Sequence, residues 1–219
     1  MRLSSFALGI ATSVVMTHAQ AGSVAIPVVF SESFDNLASL AGAGWVFTNN
    51  SATPTQPWFQ GNAGVFSAQA GAASSYAAAS FLSSGQIAGQ ISNWMISPQI
   101  SLSGGETINF FARSETTDFT DGLVLRLSST GASATASFSL TLLNVAAAPA
   151  AWTAYSVLVP NLGGPMMARI AFEYSAASAA DANYLGIDSL NIAPIPEPMS
   201  AVLLGLGLAG LIVRRRLAA

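Results

Sequence analysis

The chain has 219 residues with seven basic and ten acidic side chains, one histidine, no cysteine and a formal charge of −3. The only histidine, His18, lies near the amino terminus, so the body of the chain can build no Ser-His-Asp or Cys-His nucleophile, no haem ligand set and no Cys/His zinc site. Charged residues make up 8% of the chain against an ordinary value of about 25%, so Ser, Thr, Asn, Gln and Gly must supply most of the polar surface, and a fold without disulfides favours a large sheet core over a small stapled one.

At the amino terminus Arg2 precedes a mostly apolar run from Leu3 to Met16, and Ala19-Gln20-Ala21 follows as an A-x-A pattern. This order predicts a helical secretory signal peptide over 1–21, removed by signal peptidase after Ala19 or Ala21. The run is shorter than a membrane span, which separates it from a retained transmembrane helix.

Residues 22–195 have the length of one domain. They hold three arginines (Arg113, Arg126, Arg169), no lysine and nine acids, a net of −6. Nucleic acid is excluded as a partner, because a binder needs a basic face to displace counterions. Leu123, Leu125 and Leu127 alternate with Arg126 and Ser128, the period of a half-buried strand. Similar segments follow at Thr107–Arg113, Phe138–Leu143, Thr153–Val159, Ala168–Tyr174 and Leu185–Ile192. Asp121-Gly122, Ser129-Thr130-Gly131 and Asn161–Pro165 supply turns between them. Ala-rich Ala68–Ser80 reads as loop plus strand, since Gly71 and the serines disfavour a helix. Ser97-Pro98 ends a strand, and Arg126 and Glu173 face outward where they can pair across strands. The fold class these periods indicate is an all-β sandwich of short antiparallel strands, flanked by the signal helix and a short apolar helix at the carboxyl end.

Two chemical readings attach to this body. Trp45, Trp58, Trp94 and Trp152 would stack on sugar rings if exposed, and fill the core if alternation buries them. The acidic group Glu115, Asp118 and Asp121 between two strands lines a ligand loop or forms a solvated connection that keeps a sheet edge from pairing.

The tail runs Pro196-Glu197-Pro198, then an uncharged apolar stretch Met199–Val213, then Arg214, Arg215 and Arg216. Gly205, Gly207 and Gly210 spell G-x-G-x-x-G, but no second strand or ribose-binding acid follows, so a dinucleotide site is excluded. The apolar stretch as a helix reaches about 22 Å, short of the roughly 30 Å hydrocarbon core, and spans as a transmembrane helix only with snorkelling arginines. The ordered tripeptide, helix and Arg cluster resemble the PEP-CTERM sorting signal of Gram-negative bacteria over 196–219. That resemblance implies an exosortase-type membrane peptidase as partner, with transient anchoring in the inner membrane before release to the cell surface or extracellular matrix.

Glu32-Ser33-Phe34-Asp35, Gly42–Trp45, Asn93–Pro98, Ile108–Arg113 and Tyr184–Leu190 occur in that order. Together they resemble the choice-of-anchor J domain, related to cleaved-adhesin and MAM-like jelly rolls. The resemblance implies that the first and last strands are neighbours, bringing Glu32 and Asp35 toward Asp188. Oxygen-only ligation by such carboxylates suits a structural Ca²⁺; alternatively Asp188 is a strand-end residue bonded to backbone amides. The function implied is a non-catalytic surface or matrix module for adhesion or exopolysaccharide association. The alternative is a secreted carbohydrate-active enzyme, since a histidine-free glycoside hydrolase needs only paired carboxylates.

Overall fold

The computed structural model of the protein describes residues 28–195. The signal peptide expected over 1–21 and the sorting tail with Pro196, Glu197, Pro198, Arg214, Arg215 and Arg216 lie outside the described residues. Among the described residues no helix is long and apolar enough to cross a membrane.

Two six-stranded antiparallel sheets form a sandwich. Sheet A carries, in spatial order, Thr153–Leu158 (β10), Glu106–Ser114 (β7), Tyr184–Pro194 (β12), Ala77–Ser80 (β4) and Phe59–Gln60 (β3), with Phe30–Glu32 (β1) also on β12. Sheet B carries Val46–Asn49 (β2), Ile91–Ile96 (β5), Met166–Ala176 (β11), Gly122–Ser128 (β8) and Leu140–Val145 (β9), with Ile100–Leu102 (β6) on β11. A four-residue helix, Leu37–Leu40 (α1), is capped by Asn36, whose Oδ1 accepts the Ala38 N–H at 3.1 Å.

Alternation explains the strands. Along β7 the buried Ile108, Phe110 and Ala112 point into the core, and the half-buried Asn109, Phe111 and Arg113 point outward. Leu123, Leu125 and Leu127 of β8 meet Ile170, Phe172 and Tyr174 of β11 in the same core. At its centre Phe110 packs edge-on against Phe172, ring centroids 5.0 Å apart, joining the two sheets. β5 is buried on both faces because Phe138, just before β9, covers Trp94 and Ile96. A double covering also occurs on sheet A, where Phe66 and Tyr76 of the β3–β4 loop pack over Ala78 and Tyr184. Gly186 permits that contact, since a Cβ there would lie 2.9 Å from the Phe66 ring and 3.0 Å from Tyr76.

The expected neighbouring of first and last strands is present: Glu32 of β1 stands opposite Leu190 of β12. β12 pairs continuously with β7 along one edge apart from a bulge between Asp188 and Asn191. Its other edge is shared end to end by β4, opposite 184–187, and β1, opposite 190–192. Asp188 and Ser189 fall in the gap between them. Asp35 is not in the first strand as expected. β1 stops at Glu32, and Phe34, with a φ of 55°, turns the chain toward α1.

Candidate ligand-binding trough

The three acids singled out for calcium hold separate partners. Asp188 Oδ2 accepts the N–H groups of Gln69 and Ala70 at 2.8 and 3.1 Å, and Oδ1 accepts that of Ser189 at 2.6 Å. Glu32 Oε1 accepts the Phe34 N–H at 2.8 Å, and the exposed Asp35 accepts the Ser33 hydroxyl at 2.8 Å. N–H donors aimed at a carboxylate occupy the lone pairs a cation would use. Among the described residues no three acidic, His or Cys side chains converge with metal-binding geometry. Burial pushes the Asp188 carboxyl up, while its N–H bonds pull it down; the net direction is upward. What Asp188 does in this arrangement is staple the β3–β4 loop across the gap beside β12.

The tryptophans are not a platform. Trp45, Trp58 and Trp94 are buried, and half-buried Trp152 lies edge-on to Phe66 and Tyr76 with its Nε1–H on Ser67 O at 2.9 Å. Core filling is therefore the reading that holds for the first three. The connection from β7 to β8 divides: Glu115 and Asp118 are exposed, whereas Asp121 is fully buried. Asp121 Oδ1 accepts the Tyr174 hydroxyl at 2.6 Å and the Asn183 N–H at 2.8 Å, and Oδ2 has no partner. Asp121 closes the end of the sandwich and is no part of a solvated connection.

The surface that combines exposed apolar faces with polar groups lies at the end of β4. Ser80 caps a 3₁₀ turn, Phe81–Ser83, accepting the Leu82 N–H at 3.3 Å and donating to Gln56 Oε1 at 2.9 Å. The turn's backbone is fixed on both sides: Phe81 N–H donates to Asn183 O at 2.9 Å, and Leu82 O accepts the Gln56 N–H at 3.1 Å. With the backbone so held, the side chains project outward, Phe81 43% and Leu82 51% exposed. Two hollows of about 330 Å³ each flank this ridge. One is lined by Gln56, Phe59, Asn62, Glu115 and Tyr184, the other by Ile87, Phe119 and Ala180, and Asn183 contributes to both. The Asn183 amide donates to Glu115 Oε2 at 2.8 Å.

No lysine or arginine lines either hollow, and Glu115 is the one carboxylate among the lining residues. An aromatic and aliphatic ridge flanked by amides suits an uncharged ligand with both C–H faces and hydroxyls. Sequence reasoning missed Phe81, Leu82 and Asn183. The available signal was Phe81-Leu82 itself: adjacent bulky apolar residues after a strand cannot both face the core at period two.

No family model and no curated protein matches this chain. Among solved structures it is similar to the K3 cleaved adhesin domain of Lys-gingipain from Porphyromonas gingivalis. The two are 18% identical with a TM-score of 0.56, over 78% of this chain and 100% of that one. The K1 cleaved adhesin domain of the same protein is 21% identical with a TM-score of 0.56, over 76% of this chain and 98% of that one. The likeness is one of fold, a two-sheet antiparallel β-sandwich.

Proposed function

We propose that this chain is a non-catalytic module of the bacterial surface or extracellular matrix that associates with neutral polysaccharide through the Phe81–Leu82 trough. The observation that carries the reading is the composition of that trough, an exposed apolar ridge between Gln56, Asn62, Asn183 and Glu115 without any cation. Hydroxyl-rich, uncharged chains present the C–H faces and hydrogen-bonding groups that such a lining accepts. The cleaved-adhesin fold supports an adhesive role. Glycoside hydrolysis is disfavoured because it ordinarily requires two carboxyl groups about 5–9.5 Å apart, and the trough offers only Glu115. Export by a signal peptide, the choice-of-anchor J kinship and exosortase-type processing at Pro196-Glu197-Pro198 belong to the same proposal and rest on sequence.

The test is affinity electrophoresis in gels containing neutral bacterial polysaccharides. The wild-type protein is retarded without release of reducing sugar, and Phe81→Ala and Asn183→Ala migrate freely. Equal retardation of wild type and both variants places binding elsewhere, and no retardation in any polysaccharide overturns the reading.

A further inference from the structure

The two long sides of the sandwich are finished differently. On one side the Gln60 side chain of β3 accepts the Leu37 N–H and donates to Phe34 O, at 2.8 and 2.9 Å. Nearby, Asn49 of β2 donates its amide to Gln56 O and Ser83 O at 3.2 and 2.8 Å. On that side these side-chain bonds tie the edge strands to neighbouring segments of the chain. On the other side β10 and β9 end their sheets side by side.

The direction of the free groups on β10 follows from its register. Val159 N–H donates to Glu106 O at 2.8 Å, and this pair continues the register in which Tyr155 faces Phe110 and Val157 faces Ile108. Bonded pairs alternate along an antiparallel ladder, so residues 153, 155, 157 and 159 bond to β7. Ala154, Ser156 and Leu158 therefore turn their N–H and C=O groups away from the sheet, and no partner for them occurs among the described residues. Their side chains are exposed, Leu158 by 57%.

An open edge is ordinarily protected by lysine, an inward charge, a bulge or an internal proline. None is present in β10: the chain carries no charged residue from Leu127 to Ala168, a stretch that includes both edge strands, and β10 is bulge-free against β7. Pro149 and Pro160 bracket β10 without entering it. Turned about a twofold axis through Ser156, β10 meets itself with Ser156 opposite Ser156 and Ala154 opposite Leu158. Both of these outward-facing pairs are uncharged and include a small residue, so neither repulsion nor bulk opposes them on that face.

We propose that two copies of this chain pair antiparallel through β10, joining their A sheets into one continuous sheet across the twofold axis. The absence of cysteine makes the register directly measurable, because any introduced thiol is the only one. Directly opposite bonded residues have Cα atoms about 5.5 Å apart, within disulfide reach. In the full chain under mild oxidation, Ser156→Cys forms a disulfide-linked dimer on a non-reducing gel. Ala154→Cys and Leu158→Cys link poorly alone, each thiol lying roughly 13 Å from its own copy, but link when mixed. Ser156→Lys shifts the wild-type protein from a dimeric to a monomeric sedimentation coefficient with its circular dichroism unchanged. The proposal is overturned if Ser156→Cys links no faster than Ala38→Cys on exposed helix α1. Equal linking by all three edge variants overturns it too, because association through another surface lacks this register.

Discussion

On the outer face of sheet B, Arg126 donates its Nε–H to Glu173 Oε2 at 2.7 Å, the only ion pair among the described residues. The contact is diagonal, since Arg126 stands opposite Ala171 and Glu173 opposite Val124. Glu173 is buried, its Oε1 takes the Ser92 hydroxyl at 2.8 Å, and the Arg126 guanidinium lies 5.3 Å from the Trp94 ring centroid. Removing the arginine leaves a buried carboxylate with one hydroxyl partner. Arg126→Met is expected to cost about 2 kcal/mol, the worth of a hydrogen bond to a charged group whose partner is stranded. Adding Glu173→Gln returns part of that loss, because the stranded charge is gone. Urea unfolding of the double-mutant cycle measures both; a single variant within about 0.5 kcal/mol of wild type would show a surface-like pair.

Asp121 governs part of the pH dependence. Burial pushes its carboxyl above the ordinary range, the Tyr174 and Asn183 bonds oppose that shift, and Glu115 adds to it. A raised folded-state value means that Asp121 favours folding below its unfolded pKa of about 3.9 and that this contribution is lost as pH rises through the folded value. Asp35 acts in the opposite sense, held low by the Ser33 and Ser75 hydroxyls. Asp121→Asn keeps an acceptor for Tyr174 and removes the buried charge. The variant is expected to melt at or above the wild-type temperature at neutral pH, and the gap should close on acidification. A gap that widens toward acid would reverse the assignment.

Asp188 decides between a staple and an ion ligand. On the geometry described, Asp188→Asn presents an amide N–H₂ to one set of backbone N–H donors and costs about 1–3 kcal/mol in any buffer. Wild-type melting curves in excess EDTA and in millimolar calcium should coincide. A calcium-dependent rise abolished by Asp188→Asn would instead restore the ion shared with Glu32 and Asp35, since a ligand at one hundred times its Kd adds about 2.7 kcal/mol.

The proposed sorting tail predicts a mass. Protein recovered from the surface of its native host should lack most of 199–219, and Glu197→Ala should accumulate uncut in membranes. Full-length protein in the culture medium would refute this processing.

Reading the chain alone identified those features that follow from the geometry of a single strand. Leu123, Leu125 and Leu127 point inward and Arg126 outward because successive side chains alternate. The same rule placed Arg126 and Glu173 on an outer face, and Pro98, lacking an N–H, stops β5. Exclusion of histidine and cysteine chemistry needed only the residue inventory.

Tertiary structure decided the rest, because it depends on which distant segments meet. Asp188 and its Gln69 partner are 119 residues apart, and Asp121 and the Tyr174 hydroxyl that caps it are 53 apart. No periodicity within β12 or before β8 records those encounters. The same holds for the exposed Phe81 and Leu82, since Asn183 O takes the Phe81 N–H and the Gln56 N–H bonds Leu82 O, from two distant parts of the chain. It holds for β10 as well: its alternation is plain in the sequence, but that it ends a sheet follows only from the order in which the strands assemble. Hydrophobic alternation specifies a face, whereas neighbours and edges are set by long-range pairing, which local sequence does not encode.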